Sequence, residues 1–218
     1  AYFLLLTGKL RQFFRHEETR VYLGIMITSM LFIALDLWGR VSNTFGEALR
    51  YSSFQVSSVM TTTGYATTNF DAWPTFSRVL LVALMFAGAS AGSTGGGIKM
   101  SRLIIMFKTM KREALRILHP QAVKVIKLDN VPLQEEVIHG TGTFIVVYGT
   151  ITMLSVLLVA LDGYDLETSA TAVAACINNI GPGLGRVSPV GNFSMFSAFS
   201  KVVLFIDMLI GRLEIYPM

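Results

Sequence analysis

The sequence predicts an all-α membrane protein made of two repeats, each with a helix, a re-entrant pore loop and a second helix. First, 52% of the 218 residues are hydrophobic and only 15% are charged, which is more apolar surface than one soluble core buries. Second, Val21–Trp38 and Thr143–Leu161 approach the ~20 apolar residues that cross a hydrocarbon core. Third, the chain repeats itself, which fixes its architecture better than local propensity does.

The internal repeat is visible without gaps in two places. Phe76–Gly88 aligns on Phe199–Gly211 with six of thirteen positions identical. Upstream, Ser52–Gly64 aligns on Ser169–Gly181, and small residues dominate both segments. Each copy therefore contains the same elements in the same order.

Between the two helices of each copy lies a segment too short and too polar to span a membrane. These segments are Gly46–Met60 and Leu166–Ile177, and each follows an apolar span that ends in aspartate, Asp36 or Asp162. An apolar helix follows each segment, so the segment either stays at the surface or enters the membrane and returns. Irregular backbone at membrane depth is tolerated where it is buried in protein or lines a water-filled cavity. We expect two re-entrant loops.

Basic residues predict the orientation and the boundaries. Residues 1–20 hold four Lys or Arg and residues 99–127 hold eight, so both segments are expected on the cytoplasmic side. Asp71 and Gly163 are expected outside. The predicted units are a cytoplasmic linker (1–20), a first repeat with a broken second helix (21–110), a cytoplasmic connector (111–140) and a second repeat (141–218).

The turn that follows each short segment carries the candidate chemistry. Thr61–Tyr65 and Asn178–Gly183 both contain glycine, at Gly64 and Gly181, where unusual dihedral angles turn successive carbonyls the same way. Rings of backbone carbonyls replace the water shell of a dehydrating cation. The alternative, that both are ordinary glycine turns, remains open at this point.

Other function classes receive little support from the sequence. The glycine cluster Gly92–Gly97 resembles a phosphate-binding loop, but Ile98 stands where such a loop needs lysine. The three histidines lie far apart, and the single cysteine forms no internal disulfide. No paired carboxylates or nucleophile–base pair suggest an enzyme, and the basic segments lack a soluble domain that would present them to nucleic acid. A non-conducting membrane scaffold remains an alternative.

Three motifs stand out: Thr-Thr-Thr-Gly-Tyr-Ala-Thr from Thr61, Gly-Ser-Thr-Gly-Gly-Gly-Ile-Lys from Gly92, and Gly-Arg-Leu-Glu-Ile from Gly211. Together they resemble the Trk/Ktr/HKT superfamily of potassium transporters, most closely its bacterial Trk-type subunit. Members of that superfamily carry four repeats around one pore, and the two here resemble the third and fourth. The resemblance therefore implies that an N-terminal half with two further repeats is missing from this chain.

The resemblance also implies the functional residues. The filter carbonyls would belong to Thr61, Thr62, Thr63, Gly64, Asn178, Asn179, Ile180 and Gly181. The gate would be an intramembrane loop of Gly92, Ser93, Thr94, Gly95, Gly96 and Gly97, facing Arg212 across the pore. Potassium would be the only bound ion, with no covalent cofactor; sodium or mixed selectivity is the alternative. The implied setting is a multi-pass protein of the inner (plasma) membrane that contacts lipid, forms a homodimer and docks a cytosolic nucleotide-binding regulatory ring.

One buried charge is expected within the last helix. Asp207 lies in the apolar run Val202–Ile210, where a carboxylate needs a partner or an aqueous lining. A structural role between helices and a functional role at the pore are both compatible with this position.

Overall fold

The computed structural model describes residues 16–90, 93, 95–119, 125–129 and 131–213, so most of the predicted 1–20 linker lies outside it. The described residues form seven α-helices and one short antiparallel hairpin. The helices are α1 Glu17–Leu37, α2 Phe45–Met60, α3 Thr75–Met85, α4 Met100–Leu118, α5 Glu135–Val159, α6 Leu166–Ile177 and α7 Ala198–Leu213. The hairpin pairs β1 Lys127–Leu128 with β2 Val131–Pro132.

Two helices of the described chain are long and apolar enough to cross a bilayer. These are α1 and the continuous segment Glu135–Asp162, which contains α5 and the short 3₁₀ turn after it. Their exposed side chains are largely apolar: Leu35 is 56% exposed and Leu157 is 60% exposed. Hydrocarbon rather than water solvates such a surface favourably, which agrees with the predicted all-α membrane fold.

The short helices α2 and α6 begin in the same way. The Thr44 hydroxyl accepts a hydrogen bond from the Glu47 N–H at 3.3 Å, and Asp165 accepts one from the Thr168 N–H at 2.9 Å. These side chains satisfy backbone donors that the first helical turn leaves unpaired. Each short helix therefore has a fixed starting point after its apolar span.

The aspartates that end the two spans also have matching contacts. The Ser77 hydroxyl donates to Asp36 at 2.6 Å, which joins the end of α1 to the start of α3. In the second repeat the Ser197 N–H donates to Asp162 at 2.8 Å, just before α7. In both repeats this contact brings the second helix back beside the first and leaves the short helix between them.

The second helix of the first repeat is broken, whereas α7 runs without interruption to Leu213. The sequence placed the break from Ala89 onward, but α3 already ends at Met85. Gly88 has a φ of +62°, and a Cβ added there would overlap the Ile98 carbonyl oxygen. Because the chain folds back so closely on Ile98, the helix must end before this glycine.

Two buried clusters hold the repeats. The larger packs α1, α2 and α3 together through residues such as Ile33, Val56 and Leu81. The smaller one lies beneath α5, α6 and α7 and includes Val173 and Leu204. In both clusters the short helix is the central element, so its C-terminal turn is held by packing on several sides.

A contact that no sequence pattern indicated joins the hairpin to the start of α1. Asp129 accepts hydrogen bonds from the Glu17 N–H at 2.6 Å and from the His16 ring at 3.0 Å. Lys108 adds an ion pair with Glu17 at 2.6 Å and donates to the Lys127 carbonyl oxygen at 2.6 Å. The connector is thereby fastened to the first helix of the chain.

Replacing Asp129 with Ala is expected to destabilise this fastening by about 1 kcal/mol, the usual effect of removing a side-chain acceptor from the N–H groups at the start of a helix. Partial burial raises the pKa of Asp129, but the Glu17 N–H and His16 outweigh it and hold the pKa below its ordinary value. The stabilisation is therefore present above the ordinary aspartate pKa and is lost as the pH falls through the lower folded-state value. Thermal unfolding of both proteins against pH measures it; curves separated equally at every pH would contradict this assignment.

Candidate functional site: two matched turns

The turns that follow α2 and α6 have the same hydrogen bonds at aligned positions. After α2, the N–H groups of Thr61, Thr62 and Thr63 donate to the carbonyls of Ser57, Val59 and Ser58 at 2.9, 3.0 and 2.9 Å. After α6, those of Asn178, Asn179 and Ile180 donate to Ala174, Cys176 and Ala175 at 3.2, 3.0 and 2.9 Å. Thr62 and Asn179 each have a φ of 54°, a left-handed conformation that is uncommon outside glycine. The two turns therefore share the same hydrogen-bond pattern and the same left-handed residue at aligned positions.

The carbonyl groups beyond these bonds take no part in the backbone hydrogen bonds of the turns. Within the described part of the chain, no backbone N–H donates to the carbonyl oxygens of Thr62, Thr63 and Gly64 or of Asn179, Ile180 and Gly181. A backbone carbonyl without a partner requires water or a cation. Both turns therefore present backbone carbonyl oxygens and contain no carboxylate.

The structure brings the two turns into direct contact. Gly64 has a φ of +79°, and a Cβ added to it would overlap the carbonyl oxygen of Ile180 and lie 3.3 Å from Pro182. Gly181 has a φ of +111°, but nothing in the described chain lies within 4 Å of the corresponding Cβ position. Both glycines are required by backbone conformation, and Gly64 is also required by the close approach of the second turn.

Asn178 connects the second turn to α5. The Tyr148 hydroxyl donates to the Asn178 side-chain oxygen at 2.9 Å, and the Asn178 amide nitrogen donates to the Ala174 carbonyl at 2.8 Å. Tyr148 is 6% exposed and Asn178 is fully buried. The sequence analysis missed Tyr148, although a tyrosine inside an apolar span was a signal, since a buried hydroxyl needs a partner.

Replacing Tyr148 with Phe leaves the buried Asn178 oxygen without this donor, a loss of about 1–3 kcal/mol. We expect weakened discrimination between potassium and sodium, because the second turn is then less firmly positioned. Competition of sodium against rubidium uptake measures the effect. Tyr164→Phe is a matched control, because among the described residues the Tyr164 hydroxyl donates to the Met195 carbonyl, outside both turns. Equal competition curves for Tyr148→Phe and the wild type would contradict a positioning role.

The glycine-rich loop lies directly against the two turns. Gly92 and Thr94 fall outside the described residues; Ser93 and Gly95–Gly97 are described. A Cβ added to Gly95 would lie 3.2 Å from the Thr62 hydroxyl, and one added to Gly96 would lie 2.8 Å from the Asn178 carbonyl oxygen. Side chains at these positions would therefore push the loop away from the turns.

Lys99 fixes the conformation of this loop. Its ammonium group donates to the carbonyl oxygens of Ser93 at 2.9 Å and Gly95 at 2.8 Å, and the residue is 3% exposed. A buried ammonium is expensive unless its donors are used, and here two loop carbonyls use them. The sequence analysis counted Lys99 only as part of a basic flank and missed this role.

The loop also contacts α7 beside the predicted arginine. The Gly97 N–H donates to the Gly211 carbonyl at 3.3 Å, and Gly211 immediately precedes Arg212. A Cβ added to Gly211 would overlap the Ile177 carbonyl oxygen at the end of α6. The loop, the second turn and the Arg212 segment therefore meet at one place.

Asp207 has the partner that the sequence analysis required. It is 1% exposed, and the Ser155 hydroxyl donates to it at 2.7 Å from the facing helix α5. This contact holds α7 to α5, which agrees with the structural role.

Two short helices that end in matched turns, each placed between longer apolar helices, are the arrangement typical of membrane proteins with pore loops. A comparison of the chain with protein-family models identifies a family of cation transport proteins. The TrkH family model, described as cation transport protein, matches residues 19–218. The chain belongs to this family.

Individual relatives agree with the family match. The chain is 37% identical to the Trk system potassium uptake protein TrkH of Escherichia coli K12 and 32% identical to its Trk system potassium uptake protein TrkG. It covers 45% and 44% of their lengths, while 100% and 99% of the chain is matched. The crystal structure of the potassium transporter TrkH from Vibrio parahaemolyticus superimposes with a TM-score of 0.87 at 33% identity, over 98% of this chain and 46% of that one. The chain thus spans about 45% of the length of the first of these relatives.

Proposed function

We propose that this chain forms half of a potassium-uptake pore in which backbone carbonyls select the ion. The filter ligands are the carbonyl oxygens of Thr61, Thr62, Thr63, Gly64, Asn178, Asn179, Ile180 and Gly181. The matched hydrogen bonds of the two turns are the observation that carries the proposal, because they leave equivalent carbonyls without a backbone donor in both repeats.

Backbone carbonyl ligands suit a cation whose dehydration costs a moderate free energy, because the carbonyl oxygens replace its water ligands. Each turn offers partial negative charge without a fixed carboxylate, so a monovalent cation is bound and released again. The names of the relatives in Escherichia coli and Vibrio parahaemolyticus, which refer to potassium, favour potassium as the transported ion. Sodium or mixed monovalent transport by the same fold is the alternative, since this chain contains only two of the proposed four turns.

The complete pore requires two further repeats. The relatives are more than twice as long as this chain, and the Gly181 side of the second turn faces open space within the described structure. We propose that an N-terminal half supplies the missing turns. Residues 1–20 and 111–140 then lie on the cytoplasmic side as linker and connector.

The glycine-rich loop is the proposed gate. Gly92, Ser93, Thr94, Gly95, Gly96 and Gly97 precede Lys99, which holds two loop carbonyls, and the loop bonds α7 next to Arg212. A loop in this position blocks the path below the filter, and the arginine charge repels cations from it. Opening then requires the Lys99 contacts to break.

The proposed setting is the inner (plasma) membrane, where the protein is surrounded by lipid and pairs with a second copy. A cytosolic nucleotide-binding ring is the proposed regulatory partner, and the basic segment 99–127 is the surface it contacts. The exposed basic residues Lys111, Arg116 and Lys127 of that segment support this surface, whereas Lys99 and Arg102 are buried. Binding of nucleic acid and enzymatic catalysis are not part of the proposal.

Rubidium uptake by bacteria that lack their own potassium-uptake systems tests the function. Cells that express this chain together with its complementary half are expected to grow at limiting potassium and to accumulate rubidium in preference to sodium. Correctly inserted protein that restores neither growth nor uptake would favour a non-conducting scaffold. Uptake of sodium equal to that of rubidium would favour the mixed-cation alternative.

A further inference from the structure

The two repeats are joined by an ionic contact in which the first repeat supplies the base and the second repeat supplies an acid. Arg78, near the start of α3 in the first repeat, pairs with Glu167 at the start of α6 in the second. Arg78 also lies 3.4 Å from Asp71, and Asp71 accepts the Gly185 N–H at 2.8 Å. We call the contact of Arg78 with Glu167 and Asp71 the closed seam. In it, a basic residue on the second helix of one repeat pairs with an acidic residue on the short helix of the next repeat.

In the internal alignment, Glu167 and Arg78 of the closed seam each have an equivalent residue on a face that the other repeat does not cover. Arg50 occupies the Glu167 position in the first repeat, and Lys201 occupies the Arg78 position in the second. The Arg50 face includes Phe54, Ser57, Thr61 and Tyr65, which line a groove of about 480 Å³. The Lys201 face includes Gly181, Phe205 and Met208.

Both faces contain residues whose equivalents are covered at the closed seam. On the Lys201 face, Met208 is 45% exposed, whereas its equivalent Met85 is 1% exposed. On the Arg50 face, Phe54 is 39% exposed, whereas its equivalent Thr171 is 4% exposed. A Cβ on Gly64 would strike the neighbouring turn, whereas one on Gly181 would meet nothing within 4 Å. The two open faces are therefore the surfaces that further repeats cover.

The charges at the two open faces do not both match those of the closed seam. Lys201 is basic like its equivalent Arg78, whereas Arg50 is basic where its equivalent Glu167 is acidic. In the described structure no carboxylate lies within 4 Å of the Arg50 guanidinium, which lies 5.1 Å from the centroid of the Tyr51 ring and donates to the Tyr51 hydroxyl at 3.4 Å. That hydroxyl in turn donates to Glu47 at 3.0 Å. If a second copy of this chain closed the ring head to tail, Lys201 of one copy would face Arg50 of the other at both remaining seams.

We propose that the Arg50 face binds a helix–loop–helix repeat with Asp or Glu where the first repeat has Arg78. The Lys201 face binds a repeat with an acid at the Glu167 position. The cationic pair Arg50 and Lys201 excludes ring closure by a second copy, because like charges across a contact select against the wrong partner. This inference rests on the proposed four-repeat pore and states the chemistry of its missing half.

Charge reversal in the protein that carries both halves tests the proposal. Arg50→Glu is expected to reduce the assembled fraction and rubidium uptake by about tenfold, because two carboxylates then face each other. Arg50→Lys is expected to assemble like the wild type. Arg20→Glu is the matched control, since it reverses an exposed arginine near the start of α1, at the opposite end of that helix from Asp36 and away from both faces. Replacing the facing acid with Lys in the Arg50→Glu protein is expected to restore assembly.

Disulfide cross-linking identifies the occupant directly. In a Cys176→Ala background, Phe54→Cys and Met208→Cys are each expected to cross-link to cysteines in the completing half and not to one another between copies. A disulfide that joins Phe54→Cys of one copy to Met208→Cys of another, or normal assembly of Arg50→Glu, would overturn the proposal. So would an Arg50→Glu defect that charge reversal of the facing acid leaves unchanged. Assembly and cross-linking do not depend on the transported ion, so failure of the potassium proposal alone would leave these readouts intact.

Discussion

Potassium preference is expected to fall by more than about tenfold when Gly64 is replaced with Ser, because the left-handed backbone penalises any Cβ by about 1–2 kcal/mol. The added atom would also overlap the Ile180 carbonyl oxygen, so one filter turn would displace the other. Sodium is then expected to gain relative permeability. Gly181→Ser is expected to act in the same direction through its backbone, since its φ is +111°.

Gly149→Ser provides the control for both substitutions. Gly149 lies in α5, and a Cβ there meets nothing within 4 Å. Rubidium uptake in the presence of increasing sodium compares the three variants with the wild type at matched expression. If Gly64→Ser and Gly149→Ser show the same sodium competition, the first turn is not a selectivity element.

Ion flux is expected to rise about tenfold when Lys99 is replaced with Met, because two charge-assisted hydrogen bonds that hold the loop are lost. Arg212→Ala and deletion of Gly92–Gly96 are expected to raise flux as well. Potassium preference is expected to be largely retained, since the filter carbonyls belong to other segments. These changes therefore separate gating from selection, which the glycine substitutions do not.

Arg20→Met is the control for the gate. Arg20 is an exposed basic residue near the start of α1, away from the glycine-rich loop. Initial rates of rubidium uptake, normalised to the amount of protein in the membrane, provide the measurement. Unchanged uptake rates in well-expressed Lys99→Met and Arg212→Ala proteins would contradict the gate and indicate that the loop is a passive break in the helix.

The elements predicted from the sequence were those with a local or repeated pattern. The apolar spans are recognisable from their length, and the short helices end at Met60 and Ile177, as the sequence predicted. The alignment placed Gly64 opposite Gly181, and the structure gives both turns the same hydrogen bonds. The internal repeat predicted these features correctly because aligned residues of the two repeats occupy similar positions in the fold.

The features that the sequence analysis missed depend on contacts between distant residues. Tyr148 reaches Asn178 across 30 positions, and Asp129 reaches Glu17 across 112. Lys99 looked like one more cation in a basic segment, because nothing local shows that its ammonium group is buried against loop carbonyls. The early end of α3 likewise follows from the close approach of Gly88 to Ile98, which no helix propensity encodes.

The reversal potential of the complete protein in a planar bilayer, with potassium on one side and sodium on the other, tests the filter most directly. For the wild type, the account predicts a potential close to the potassium equilibrium value, and for Gly64→Ser a shift toward zero. Equal reversal potentials for the wild type and Gly64→Ser would contradict the claim that the paired turns select the ion.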